Sequence, residues 1–255
     1  MTGLRSAVWG AGLAQTGLRA LTARPPGGAE RWQRRNHRGR TLTLLSGPAL
    51  AAAAAASADL PRAAAVVAAG GAATVGAYDD AVGARTPGAK GLRGHLGALR
   101  QGRVTSGAVK VAGLAAVGGA ASALLEGAGD RRRLLVGGAV VAGSANLLNL
   151  LDLRPGRALK AGAAASLLLG QPGPGAAAVA LLPDDLHERT MLGVAGANGL
   201  GALLGLAVLR RAPQRRGVAL AVLVALTAAS EVVSYSRVID AVPPLRWVDR
   251  AGRLP

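Results

Sequence analysis

Apolar and polar positions along this chain do not alternate; they separate into blocks. Runs dominated by Ala, Leu, Val and Gly cover roughly 4–22, 43–58, 63–78, 104–125, 134–151, 158–170, 175–183, 190–209 and 217–236, with basic stretches between them. Blocks of this kind predict membrane-crossing helices joined by basic loops. Several are shorter than the roughly 20 residues that cross a hydrocarbon core. Residues 158–183 read either as two short helices broken at Gln171–Gly175 or as one kinked span. The first block contains Arg5, Gln15 and Arg19 and reads as a weak span, or as a signal-like or interfacial helix. The expected architecture is all-α: a polytopic integral membrane helical bundle of eight or nine transmembrane helices, one membrane domain over 1–255.

Composition strengthens that picture. About half the chain is apolar (51%), yet the formal net charge is +17. There is no Phe, and only two Tyr and three Trp, where a soluble core of this size would use aromatics to fill volume. Small residues suit helices packing backbone to backbone in lipid, as at the Gly201/Gly205 pair with GxxxG spacing, and such faces would also allow a homodimer. A GC-rich genome pushes composition the same way but does not segregate charge. The charge suggests nucleic acid as a partner, but the basic residues are interrupted by apolar blocks and aromatics for base stacking are scarce, so that partner is not expected. With no cysteine, disulfides and thiolate metal sites are excluded.

If all nine blocks cross, 19 of the 30 Lys and Arg residues fall on one side, counting Lys160 at a span edge, and 8 on the other. The richer side is expected to be cytoplasmic, which places the protein in the plasma membrane with its polar motifs facing the cytoplasm. These motifs are Asn36-His37-Arg38-Gly39, Asp79-Asp80, Asn149-x-x-Asp152 and Asp184-Asp185.

Acidic residues are few, 13 in all, so their positions carry information. Asp79 and Asp80 end a block in GAYDD. Adjacent carboxylates repel unless a cation neutralises them, and Mg²⁺ takes one or two carboxylates plus substrate phosphates. A plain solvated helix end is the competing reading. The following loop, KGLRGHLGALRQGRVTSG, offers Lys90, Arg93 and His95 among glycines whose amides can approach phosphate; it could equally face anionic headgroups. In SANLLNLLDLRPGRALK, helical spacing puts Asn146, Asn149 and Asp152 on one face, as a site wall or as helix-helix hydrogen bonds.

Taken in order, GAYDD, KGLRGHLGALRQGRVTSGAVK, NLLNLLDLRPGRALK and MLGVAGANGLGALLG resemble the polyprenyl-phosphate N-acetylhexosamine-1-phosphate transferase family, over about residues 30–250. That family includes phospho-N-acetylmuramoyl-pentapeptide transferase of peptidoglycan synthesis and undecaprenyl-phosphate N-acetylglucosamine-1-phosphate transferases. NHRGRTLTLLSGP looks like its first cytoplasmic loop, and SEVVSYSRVIDAVPPLRWVDRAGR resembles an actinobacterial subgroup. The resemblance implies Mg²⁺-dependent transfer of a sugar-1-phosphate from a UDP-sugar to a polyprenyl phosphate, releasing UMP, in cell-wall biogenesis. It implies catalytic roles for Asp79, Asp80 and Asp152, metal binding at Asp80 and Asp152, and substrate contacts from Asn149, Lys90, Arg93 and His95. The chain departs from the pattern at Pro155, which stands where the N-x-x-D-G-x-D-G motif has its second aspartate. It departs again at Val194, which stands at a metal-binding aspartate of G-D-x-G-S. Asp184, Asp185 and Glu188 are then candidate substitute ligands. The alternatives are a catalytically inactive relative that binds polyprenyl lipid or acts as a scaffold, and a small-solute transporter.

Overall fold

The computed structural model of the chain describes residues 3–36, 38–83, 97, 101 and 105–254. His37 and the expected phosphate-holding Lys90, Arg93 and His95 lie outside the described residues. Nearly everything described is helical. The helices are α1 (Gly3–Ala23), α2 (Ser46–Ser57), α3 (Arg62–Val66), α4 (Ala72–Gly83), α5 (Ser106–Glu126) and α6 (Arg131–Leu151). They continue with α7 (Arg157–Leu168), α8 (Pro172–Leu186), α9 (Gly193–Arg211), α10 (Arg216–Val232), α11 (Tyr235–Ala241) and α12 (Pro243–Arg250). A π-helical stretch, Val67–Gly71, joins α3 to α4 in one rod.

Ala-rich sequence favours these helices, and side-chain caps set several starts. Thr105 accepts from the Ala108 amide at 3.2 Å, and Asp130 from that of Arg133 at 3.0 Å. The open question over 158–183 resolves as two helices, with Gly170 in the left-handed region (φ +69) between them. The block at 217–236 does not run through as one span. It stops at Val232, Val233 turns extended and Ser234 caps a new helix that leaves at 88°.

The first block, read as weak, is a full helix packed on α2 and α8. At the centre stands α9, which packs on α2, α4 and α6 and has nearly every residue buried. Its close approach to α6 needs glycine: a Cβ on Gly201 would sit 2.6 Å from the Ser144 carbonyl oxygen, and one on Gly205 2.8 Å from the Val141 Cα. Three helices, Ser106–Glu126, Arg131–Leu151 and Gly193–Arg211, are long and apolar enough to cross a membrane.

Two ends can be told apart by their contacts. At one, Gln171 bonds Asp59 (2.9 Å to its amide), Arg210 reaches the Asp59 carbonyl (2.8 Å), and Arg216 pairs with Glu126 (2.7 Å). At the other, the chain forms a short antiparallel hairpin, β1 (Gln33–Arg35) and β2 (Thr41–Thr43). Thr43 bridges Thr190, and its carbonyl accepts from the Met191 amide at 2.9 Å. The hairpin thereby lies over the turn that leads into α9.

Candidate functional site

The 187–193 turn is the hub of the hairpin end, and aspartates from three distant helices converge on it. Asp80, near the end of α4, caps α9: its Oδ1 accepts from the Val194 amide (3.2 Å) and its Oδ2 from that of Ala195 (3.1 Å). A helix N-terminus presents unpaired N–H groups and a positive dipole end, so a carboxylate there is well placed. Position 194 therefore contributes its backbone N–H, although its Val side chain cannot ligate a metal. Arg34 of β1 donates to the Asp80 carbonyl. The neighbouring Asp79 points elsewhere and pairs with Lys110 of α5 at 3.1 Å.

Asp152 closes the C-terminus of α6, its amide bonded to the Asn149 carbonyl at 3.1 Å. Burial pushes its carboxyl well above the usual carboxylate range; the charges of Asp185 and Asp80 push the same way, and a bond from the Gly193 amide opposes them. Asp185, in the last turn of α8, is buried and accepts from the amide of Gly156. Gly156 adopts φ +73, a backbone that suits glycine, and packs against Leu186. Burial raises the Asp185 carboxyl to about 6, against the pull of the Gly156 and Leu192 amides and the Arg253 charge.

Asp152 and Asp185 both line a cavity of about 170 Å³, with Arg35, Asn36, Arg154 and Thr190 among its walls. The Thr190 hydroxyl is buried and has no hydrogen-bond partner, an uncommon state for such a group. On the far side of Asp80 lies a second cavity of about 300 Å³, walled by Trp32, Leu44, Ala77 and Tyr78 together with Arg31 and Arg34.

The remaining acidic candidates are engaged with arginines. Asp184 pairs with Arg189 at 2.7 Å. Glu188, buried and in the left-handed region at φ 55, receives Asn36 Nδ2 at 2.9 Å and lies 3.5 Å from the Nε atoms of both Arg38 and Arg40. A buried glutamate held there by three hairpin residues fixes the shape of the turn. Asn146 donates to Thr227 of α10 at 3.5 Å, so the amide face of α6 serves helix contact at that position.

The structure thus brings Asp80, Asp152 and Asp185 to one turn and leaves Asp79 on α5. Among the described residues no group of three or more His, Cys, Asp and Glu is placed to hold a metal ion on its own. Asp152 and Asp185 face one cavity without an arginine hydrogen-bonded to either carboxylate among the described residues, and the pair suits a cation that takes one or two carboxylates and completes its shell with phosphate oxygens. Sequence reasoning missed Thr190 and Arg35, whose importance comes from a β-bridge between residues far apart in the chain. No protein-family profile matches this chain, and neither a curated protein nor a solved structure is significantly similar to it.

Proposed function

We propose that this chain is a multi-pass plasma-membrane protein of eight or nine spans that transfers a sugar-1-phosphate from a UDP-sugar to a polyprenyl phosphate at its cytoplasmic face. The observation that carries the reading is the pairing of Asp152 and Asp185 in a cavity with Arg35, Arg154 and an unpartnered Thr190 hydroxyl. Carboxylates for a cation, guanidiniums for phosphate oxygens and a free hydroxyl are the parts phosphoryl transfer uses, since its catalysis is mainly positioning and charge neutralisation. The cavity beside Asp80, apolar on one wall and basic on the other, suits a lipid phosphate. The basic excess at this end favours its being cytoplasmic.

In the reaction, an oxygen of the polyprenyl phosphate attacks the β-phosphorus of the donor. The bond from that phosphorus to the bridging oxygen breaks, and the oxygen leaves with UMP. Arg35 and Arg154 hold phosphate oxygens as charge shifts to the leaving group, and Thr190 orients one of them. Asp152 and Asp185 would hold Mg²⁺, which supplies further neutralisation of the phosphates when bound.

A second reading, a lipid-binding or scaffold protein without turnover, is favoured by Asp79 and Asp80 being engaged with Lys110 and with the α9 amides. UMP release in nanodiscs, with Mg²⁺, undecaprenyl phosphate and a panel of UDP-sugars, separates the two. The transfer reading expects release that Asp152→Asn and Asp185→Asn each lower at least a hundredfold. Release from no donor, by protein that still binds polyprenyl phosphate, would leave the second reading.

A further inference from the structure

Beside the acidic cavity, and sharing Arg154 and Pro155 with it, lies one lined mainly by arginines. The turn after α6, the hairpin tip and the C-terminal helices enclose this cavity of about 440 Å³, and five guanidiniums line it: Arg38, Arg154, Arg157, Arg250 and Arg253. Its three carboxylates are already matched. Asp249 takes Arg157 Nε at 2.7 Å and Nη2 at 3.1 Å, and also Arg253. Glu188 faces Arg38 at 3.5 Å, and Asp240 lies 3.7 Å from Arg250. The Arg154 guanidinium forms no hydrogen bond or ion pair among the described residues, and Arg154 is exposed at the cavity wall.

Five positive charges against three negative leave a surplus of two, and the surplus is felt inside the protein. The Arg253 guanidinium is held below its ordinary range chiefly by burial; the charge and hydrogen bond of Asp249 pull the other way, and the charges of Arg157 and Arg154 add smaller downward pushes. A fold that crowds guanidiniums at this cost leaves room for an anion to relieve it. The shape agrees: a bidentate arginine fork suits phosphate, and 440 Å³ is far larger than a single water site.

We infer that this arginine-lined cavity binds a phosphate or diphosphate group, clamped between the 152–157 turn and the α11–α12 segment. Arg154 and Pro155 border both cavities, but Asp152, Asp185 and Arg35 line the acidic one alone, and Arg38, Arg157, Arg250 and Arg253 line this one, so the inference can be tested apart from the transfer reaction. The group could belong to an anionic lipid headgroup or to a soluble phosphate compound. α11 leaves α10 at 88°, and the exposed Trp247 and Leu245 of α12 lie beside Arg246 and Arg250, apolar and basic groups of the kind that meet a headgroup.

The test uses the full chain in phosphatidylcholine nanodiscs without Mg²⁺, titrated calorimetrically with inorganic pyrophosphate. One saturable site is expected, weakened at least tenfold by the Arg38→Gln/Arg250→Gln double variant, whose residues line this cavity and not the acidic one, and unaffected by Asp152→Asn. Both arginines are exposed, and matching melting temperatures would confirm that the double variant is folded. A second set of nanodiscs containing phosphatidic acid identifies the source: lost pyrophosphate binding assigns the site to a headgroup, and unchanged binding to a soluble phosphate. Absence of saturable binding in wild type, or binding undiminished in the double variant, overturns the inference. Loss with Asp152→Asn alone would move the phosphate to the acidic cavity instead.

Discussion

The two ends of the bundle differ in how they hold acidic residues: both pair carboxylates with arginines, and the hairpin end also holds three aspartates on backbone amides. At the end of Asp59, Glu126 and Asp130, each carboxylate meets an arginine near the surface: Arg210 at 3.9 Å, Arg216 at 2.7 Å and Arg133 at 3.1 Å. At the hairpin end arginines are far more plentiful, yet Asp80 and Asp185 are satisfied by backbone amides, and Asp152 faces them both. Side-chain pairs at the first end are surface clamps, of the kind worth about 0–1 kcal/mol each. Backbone-held carboxylates at the second have no arginine hydrogen-bonded to them and are pushed by burial towards the protonated form, so a mobile cation would have charge to restore there.

The sharpest way to break this contrast is at the buried Arg157–Asp249 ion pair of the hairpin end. Arg157→Ala strips Asp249 of its main partner and is expected to cost about 3–5 kcal/mol, the usual penalty for leaving a buried charge alone. Burial acts to raise the Asp249 carboxyl, but the bonds and charges of Arg157 and Arg253 outweigh it and hold it below its ordinary range. Limited proteolysis should then cut within 235–254 at rates the wild type does not show. Next in size, Asp80→Ala leaves two α9 amides without an acceptor and should lower stability by about 2 kcal/mol in a thermal melt, with Asp80→Asn costing less.

A pH series gives a smaller and more specific effect. Because the folded Asp185 carboxyl titrates near 6, above its ordinary 3.8, the native state binds the extra proton between those values. Stability should therefore fall as pH rises from about 4 to about 6, and Asp185→Asn should flatten that slope in melts. Smallest of all, Glu126→Gln at the opposite end should change stability by under about 1 kcal/mol. A loss there as large as that of Arg157→Ala would erase the distinction between the ends.

Much of the scaffold was legible because helices long and apolar enough to cross lipid write a one-dimensional pattern. The blocks at 104–125, 134–151 and 190–209 lie within three residues, at each end, of Ser106–Glu126, Arg131–Leu151 and Gly193–Arg211. The Gly201/Gly205 spacing marked a true close approach. What the pattern could not hold is contact between distant segments. Asp79 and Asp80 look equivalent as neighbours, yet adjacent residues on a helix point about 100° apart, so one meets α5 and the other α9. The break at Val232 was hidden because apolar residues continue past it, and the partner of Asp249 lies 92 residues away.

The π-helical stretch Val67–Gly71 gives the aspartate pair its aim. Such a stretch holds one residue more than regular α-helix would over the same path. It works as a slack link in a taut chain. Losing a single residue from 67–71 would draw the link straight and leave Asp80 on the α9 amides. Losing one from 72–79 would carry Ala81 into that place and send the carboxylate to the neighbouring face. Two deletions a few positions apart, equal on paper, would spare or blind the same site.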